Sequence, residues 1–503
     1  MLKIAYFLDL PQGLGGAGNV LINQAHLMSR DNNVVIVIPI NEDGNENPEY
    51  ARRCDEIGLR HVGLKYKTAF ELQDMNVIEA YEECAIIESF LVDNGIQIIH
   101  SVQINAAVEL ASRKTGIPNL FNAYQIRKGE FCLPQTRYLP CYHSADSELY
   151  CKIWREQLGI ESRCIRPISP LEKIKNYKKY GGKTINIVML GYVCDRKNQL
   201  SGIKAIQRIH DQYNVRLYIL GNVESKYGEK CINYVEENRL QKFIFFKGFV
   251  ENVGEYLENG DIYLCTSVDE SFPSSMVEAA SHGLMVVSTP VAGIPELMKD
   301  GYNAYLSSDF EIESLKVALC RCLGDYISGS NVAIYNNLKS TWENYFSQDV
   351  IRGQLQEYYD YILDKDIVAK FEDDNFISEV SIIRDKLINV FKKDDFVLNK
   401  VYYYAHLKQI LKPDSKVAIW GCGDYGYIAT KIIKSIMPKL RIVCYVDSYK
   451  NGYYSEKEII EPDKIREKRI DYVFVSVFEY RIEILNKLND LDYKYNQKAW
   501  ILP

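Results

Sequence analysis

No two cysteines in this 503-residue chain are spaced C-x-x-C. The thirteen present, among them Cys132, Cys141, Cys151 and Cys164, are scattered. That spacing argues against a zinc or dithiol redox centre and for reduced thiols. No apolar run reaches the roughly 20 residues that span a bilayer. The opening MLKIAYFLDLPQG has neither the basic n-region nor the long apolar h-region of a signal peptide, so a cytoplasmic location is expected. Positive charge is in deficit, 60 Lys and Arg against 67 Asp and Glu for a net charge of −7, which excludes a general affinity for nucleic acid. No low-complexity tract is present, and 47% hydrophobic with 25% charged residues excludes disorder as the main state. Thirty-eight tyrosines fall in no repeat and are read as compositional.

What is present is a rhythm of short apolar runs alternating with helical patterns, the mark of βα units around parallel sheets buried on both faces. KIAYFL, NVVIVIPI, QIIHSV and PNLFNAY give one doubly wound domain over residues 1–165. The basic stretch EKIKNYKKYGGKT then reads as a solvated linker, its run from Lys173 to Lys183 leaving open a peripheral contact with an anionic membrane. INIVMLG, VRLYILG, KFIFFKG, DIYLCTS and LMVVSTP give a second doubly wound domain over 166–363, and a cleft is expected between the two. A helical connector (364–410) leads to a third α/β unit over 411–503.

Three loops carry candidate chemistry. LPQGLGGAGNVLINQ sets Gly15 and Gly16 between a strand and a helix, where glycines admit an anion and free helix N–H groups favour it; an ordinary tight turn is the equal alternative. It is no Walker loop, since no Lys-Ser or Lys-Thr follows. VMLGYVCDRKNQL places Arg196 and Lys197 beyond a strand, where cations can neutralise a leaving diphosphate. DESFPSSMVEAASHG follows the buried strand DIYLCTS at its carboxyl end, the edge at which open α/β sheets bind ligands. Pro273 favours a helix soon after it, Ser274 and Ser275 can cap that helix, and Glu278 can accept from ribose hydroxyls. D-x-D occurs only at 364–366 and 490–492, neither after a suitable strand, so no essential metal is expected.

The order of these features, from the glycine loop through GYVCDRKN, ILGN and FKGFVENVGEYLENGDIYLCTSVDESFPSSMVEAASHGLMVVSTPVAGIPELMKDGYNAYL, resembles the large retaining glycosyltransferase family 4 with the GT-B fold. The resemblance covers about residues 1–363 and is most specific from Phe246 to Leu306. It implies two Rossmann-like domains facing a cleft, with a nucleotide-diphosphate sugar, a UDP-sugar by expectation, held mainly by the second. Transfer would go with retention to a glycan, lipid-linked or protein hydroxyl. It further implies that Glu270, with the backbone at Phe272 and Pro273, contacts the donor sugar. Ser274 and Ser275 would offer N–H groups to phosphate, Glu278 would bind ribose, Lys197 the diphosphate, and Gly15 and Gly16 would approach the phosphates. The helix containing YYDYIL would cross back to the first domain. Two positions depart from the family pattern. Tyr192 stands where an arginine is usual, with Arg196 as the candidate substitute, and Tyr124 stands where a histidine faces the sugar. His100, at another strand end, reads either as an acceptor-side residue or as a core histidine. These departures leave open a non-catalytic GT-B partner or sugar-nucleotide-binding subunit.

The third unit carries IWGCGDYG, a G-x-G-x-x-G at Gly421, Gly423 and Gly426, with Asp447 ending the next strand where a ribose-binding acid belongs. It resembles small Rossmann-like nucleotide-binding domains appended to sugar-modifying proteins. A nucleotide or NAD is the ligand class expected there, an oxidoreductase being the rival that follows from NAD. Oligomer contact is a further open role.

Overall fold

Alternate side chains of a parallel strand point to opposite faces, so a strand covered on both sides must be apolar along its whole length. In the computed structural model, β1 (Lys3–Phe7) meets this demand: Ala5 and Phe7 enter one apolar cluster and Ile4 and Tyr6 another. The structure describes residues 1–13, 15–41, 43–66, 77–103, 105–123, 140–158, 160–250, 252–365, 367–368, 374–391, 401–477, 481–494 and 497–502.

The first sheet contains β1, β2 (Asn33–Pro39), β3 (His61–Leu64), β4 (Ile98–Val102), β5 (Asn119–Asn122), β6 (Tyr142–Ala145) and β7 (Glu161–Cys164) in the order 3-2-1-4-5-6-7. All its pairs are parallel. The second contains β8 (Ile185–Leu190), β9 (Val215–Leu220), β10 (Ile244–Gly248), β11 (Ile262–Cys265), β12 (Met285–Ser288) and β13 (Tyr305–Leu306), ordered 10-9-8-11-12-13 and likewise parallel. In both, the order reverses beside the first strand, and the glycine turns that follow β1 and β8 sit at these switch points. A crevice opens there because the flanking connections leave in opposite directions.

The third sheet holds β14 (Lys416–Trp420), β15 (Arg441–Val446), β16 (Gly452–Tyr454), β17 (Lys457–Ile460), β18 (Tyr472–Val475) and β19 (Ala499–Ile501) in the order 16-17-15-14-18-19. Its β16–β17 pair is antiparallel, so this sheet is mixed. One apolar cluster contains Ile87 and Leu91 of helix Val77–Asn94, Ile383 and Leu387 of helix Asp374–Phe391, and Val417 and Ile419 of β14. The third unit therefore shares buried contacts with the first domain.

Helix Gln348–Lys365 returns to the first domain and buries Ile351, Leu355, Tyr358, Tyr359 and Ile362 against it. The Tyr359 hydroxyl lies 2.7 Å from that of Tyr6 and 2.6 Å from His100 Nδ1. His100 Nε2 lies 2.9 Å from Asn122 Oδ1, and burial pushes the imidazole down to about 4. His100 is therefore a core histidine that fastens the returning helix, not an acceptor-side group. The stretch from Lys173 to Lys183 also differs from a solvated linker. Ile174 is buried, Lys175 pairs with Glu258, and Lys178 Nζ donates to the carbonyls of Leu257, Glu258 and Gly260. A helix end leaves carbonyls unpaired, and a lysine that satisfies three of them is drawn onto the domain surface.

Candidate functional site

The second-domain half of the site begins where β8 ends. Gly191 has φ +124°, and a Cβ there would lie 3.3 Å from Lys197 Cε, so the glycine lets the lysine stem lie across the turn. The backbone of the basic pair is stitched to the end of β11: Val268 N–H donates to the Arg196 carbonyl at 2.9 Å, and the Thr266 hydroxyl to the Lys197 carbonyl at 2.8 Å. Both side chains then converge on Glu270. Its Oε1 lies 2.9 Å from Arg196 Nη1 and 2.5 Å from Lys197 Nζ, and accepts from the Ser267 hydroxyl at 3.0 Å. Glu270 is only 6% exposed. Two cations against one carboxylate leave a local excess of one positive charge. Tyr192 turns away, 47% exposed, its hydroxyl donating to the Glu224 carbonyl at 3.1 Å.

Helix Ser274–Ser281 follows. The sequence reading gave Ser274 and Ser275 the capping role, and the structure corrects it. Pro273, with φ −71°, occupies the N-cap, both serines lie inside the first turn, and no side chain caps the helix. The Ser275 hydroxyl pairs instead with the Tyr263 hydroxyl at 2.7 Å. The Met276 N–H donates to the Pro273 carbonyl at 3.0 Å, and among the described residues the N–H groups of Ser274 and Ser275 are left for an incoming acceptor. Phe272 is buried among Met276, Val277 and Phe346, which fixes the turn, while Ser274 is exposed. Glu278, half-buried one turn on, has its carboxyl pushed up to about 6 by burial.

In the first domain, the two loop glycines do different things. A Cβ on Gly15 would come within 2.8 Å of Leu10 Cδ1, and its N–H donates to the Tyr50 hydroxyl at 3.3 Å. Gly16 opens helix Gly16–Met28, and a Cβ there would meet nothing within 4 Å. Gly16 faces open space; Gly15 is spent on internal packing. The Tyr50 hydroxyl in turn donates to buried Asp9 at 3.0 Å, whose carboxyl burial raises to about 6.

Sequence reasoning missed the junction between the domains. Helix Glu148–Leu158 of the first domain points its N-terminus at Glu296 of the second, which accepts from the N–H groups of Glu148 and Leu149 at 3.0 and 2.8 Å and from Arg166 at 2.6 Å. The Ser147 and Ser271 hydroxyls meet at 2.9 Å. A Cβ on Gly293 would approach Ser147 Cβ to 2.5 Å, so only glycine permits this approach. Asp146 is buried beside Ser271, and among the described residues its Oδ1 has no hydrogen-bond partner. Burial, eased by the Ser271 hydrogen bond and reinforced by the charge of Glu270, pushes its carboxyl up to about 8. The helix-start signal at Ser147 was readable; its partner, 124 residues away in sequence, was not. Tyr124 lies outside the described residues.

In the third unit, a Cβ on Gly426 would approach the Gly421 carbonyl oxygen to 2.2 Å, so the first and last motif glycines close the turn. Gly423 is the uncapped N-cap of helix Asp424–Ile436 and faces open space. Asp447 Oδ1 accepts from the N–H groups of Tyr449 and Lys450 at 2.9 and 3.1 Å, and the Tyr454 hydroxyl reaches the Gly423 carbonyl at 3.1 Å. One carboxylate oxygen of the expected ribose acid is therefore engaged in shaping its own loop. Among the described residues no three His, Cys, Asp or Glu side chains are grouped as a metal site, and no helix is long and apolar enough to cross a membrane.

Comparison with solved structures places the two-domain architecture. Anabaena HepE in complex with UDP and glucose superposes with a TM-score of 0.59 at 16% identity, covering 72% of this chain and 100% of that one. The fold is GT-B. Sucrose-phosphate synthase from Thermosynechococcus elongatus gives a TM-score of 0.56 at 14% identity, over 73% of this chain and 100% of the other. Within the GT-B region, residues 184–325 match the family model Glycosyl transferases group 1, a span holding the basic pair, Glu270 and Glu278. Residues 413–498 match the model C2185-like, N-terminal. The capsular polysaccharide biosynthesis glycosyltransferase CapH of Staphylococcus aureus is 27% identical over 188 residues, 37% of this chain and 49% of that protein. The phosphatidylinositol N-acetylglucosaminyltransferase GPI3 subunit of Saccharomyces cerevisiae is 32% identical over 288 residues, 50% of this chain and 62% of that protein. The GT-B chain thus spans about half to three-fifths of the length of these curated relatives.

Proposed function

We propose that this GT-B chain is a retaining glycosyltransferase that moves a hexose-type sugar from a nucleotide diphosphate, UDP first among the candidates, to a hydroxyl acceptor in cell-surface glycan synthesis. The observation that carries the reading is the convergence of Lys197 and Arg196 on buried Glu270 beside the uncapped helix at Ser274. The excess positive charge and the free N–H groups suit a diphosphate, and they do so without a metal. Lys197 and Arg196 would stabilise the leaving group, Arg196 standing in for the arginine that Tyr192 replaces. Glu270 and the backbone at Phe272 and Pro273 would hold the sugar, Glu278 the ribose, and Gly16 would let the first domain approach the phosphates. As the bond from the anomeric carbon to phosphate oxygen breaks, the acceptor oxygen bonds to that carbon on the same face, its proton passing to the leaving phosphate oxygen. Closure about the Ser147 junction would exclude water from the donor.

A screen of UDP-, GDP- and ADP-sugars against glycan, lipid-linked and peptide acceptors tests this, with nucleotide release as the rate and the anomeric NMR signal as the stereochemical readout. Lys197→Ala should chiefly lower kcat and Glu278→Ala chiefly raise the donor KM. Unchanged kinetics in both would remove the site assignment. The position of Tyr192, turned to the Glu224 carbonyl, favours one second reading, a sugar-nucleotide-binding subunit without turnover. Tight UDP binding with no release from any donor would decide for it.

A further inference from the structure

The outer edge of the second sheet carries an aromatic shelf that the donor cleft does not use. Phe245 on β10 and Tyr218 on β9 stand directly opposite each other, their rings stacked at 5.3 Å and 21°. Tyr256 of helix Val253–Asn259 tilts against Tyr218 at 6.1 Å and 57°, and Lys247 Nζ lies 5.8 and 5.7 Å from the Tyr218 and Phe245 rings. The opposite face of these two strands is sealed, with Leu217, Ile219 and Ile244 buried beneath Ile203, Ile206, Cys231 and Val235. On the shelf side Tyr218, Phe245 and Tyr256 stay half-buried, and Phe249 beyond them is 67% exposed.

Beside the shelf lies an open cavity of about 200 Å³ lined by Asn186, Tyr218, Glu255, Tyr256 and Asn259. Asn186 is at the start of β8, the end of the strand away from Gly191, so the cavity is separate from the donor site. Among the described residues, the side-chain amides of Asn186 and Asn259 donate to the carbonyls of Asn259 and Glu255, and their amide oxygens accept no hydrogen bond. Neither tyrosine hydroxyl nor the Glu255 carboxylate has a hydrogen-bond partner there. Flat aromatic faces next to a ring of hydroxyl, amide and carboxylate groups fit one ligand chemistry well. A pyranose presents C–H bonds to the negative face of an aromatic ring and hydroxyls around its rim. A phosphate-bearing ligand would meet the Glu255 carboxylate, which repels it.

We propose that the shelf is a second carbohydrate subsite that holds a neutral stretch of a glycan chain, remote from the point of transfer. Its occupant rests on the glycosyltransferase reading, in which such a chain is acceptor or product. Two things would follow: the chain would stay tethered between transfers, and long acceptors would gain over short ones in KM while kcat stays the same.

The test uses the full chain and three probes, maltohexaose, chitohexaose and an isomalto-oligosaccharide of equal length, in saturation-transfer NMR and calorimetry. UDP titration is the control. At least one probe should bind, with signal from pyranose C–H groups. Tyr218→Ala should weaken it about tenfold or more and leave the UDP Kd unchanged. Glu255→Gln, at an exposed position that cannot upset the core, should weaken it less but measurably. Failure of all three probes to bind, or binding that survives both substitutions, would overturn the proposal. If UDP does not bind while a glycan does, the donor-site reading falls and the subsite stands.

Discussion

Replacing Glu270 with glutamine should make the protein less stable and yet tighten its grip on UDP. The carboxylate is the single anion between Lys197 and Arg196, at 2.5 and 2.9 Å. Glutamine keeps the volume and the Ser267 hydrogen bond but leaves two cations facing each other. Breaking a fully buried ion pair costs about 3–5 kcal/mol. Arg196 is about one-third exposed and water screens it, so about 2–3 kcal/mol is the expected loss. For a domain of this size that corresponds to a fall of about 4–12 °C in the melting transition of the second domain. A diphosphate brings back the missing negative charge. UDP at a hundred times its Kd stabilises by about 2.7 kcal/mol through affinity alone, and in Glu270→Gln the relieved repulsion adds to this. Differential scanning fluorimetry with and without UDP, paired with calorimetry, reads both quantities, and sugar transfer is expected to be lost. A variant that melts with the parent protein, or that binds UDP more weakly, would refute the electrostatic account of the site.

Three further outcomes are expected. On the proposed reading Glu278, with its carboxyl raised to about 6, accepts from ribose more strongly when ionised, so the donor KM should rise as pH falls through 6, and Glu278→Gln should flatten that limb of the profile. Asp146, raised to about 8, binds a proton in the folded state that the unfolded chain has already lost. Stability should therefore decline as pH rises from about 4 toward 8, and Asp146→Asn should remove that slope, melting above the parent at pH 9 in thermal scans. Gly18→Ala would place a Cβ 2.0 Å from the Tyr50 hydroxyl, and overpacking of this kind costs about 1–3 kcal/mol, measurable by urea unfolding; a neutral result would show that Tyr50 can move.

The three sheets were legible in the sequence because parallel strands covered on both faces are written as nearly continuous apolar runs, such as IVML within INIVML and VAIW within KVAIW. The placement of the candidate residues was legible for a related reason: Arg196, Lys197 and Glu270 belong to turns that leave strand ends, and Glu278 to the helix that follows the second of them. What escaped depends on contacts across long separations. Ser275 looked like a cap until Tyr263 claimed its hydroxyl. His100 read either as an acceptor-side or as a core histidine until Tyr359, 259 residues later, reached its ring. Lys178 looked solvated until three carbonyls at the end of a helix took it. Gly15 and Gly16 are indistinguishable as letters, and Leu10 and Tyr50 tell them apart.

The joint at Glu296 has a mechanical consequence. It is made of charged and polar groups, two helix N–H donors and Arg166 on one carboxylate with a serine pair beside it. Water can replace every one of those bonds, whereas Ala292, packed against Ala145, Tyr150 and Cys151, adds a small apolar contact that water does not replace. An oily joint would weld the halves together and a bare one would let them wander; a joint of this mixed make-up would act as a detent, favouring one alignment without locking it. On the glycosyltransferase reading, an opening that admits the donor would break chiefly these bonds, and the same pairs would realign the halves on closing.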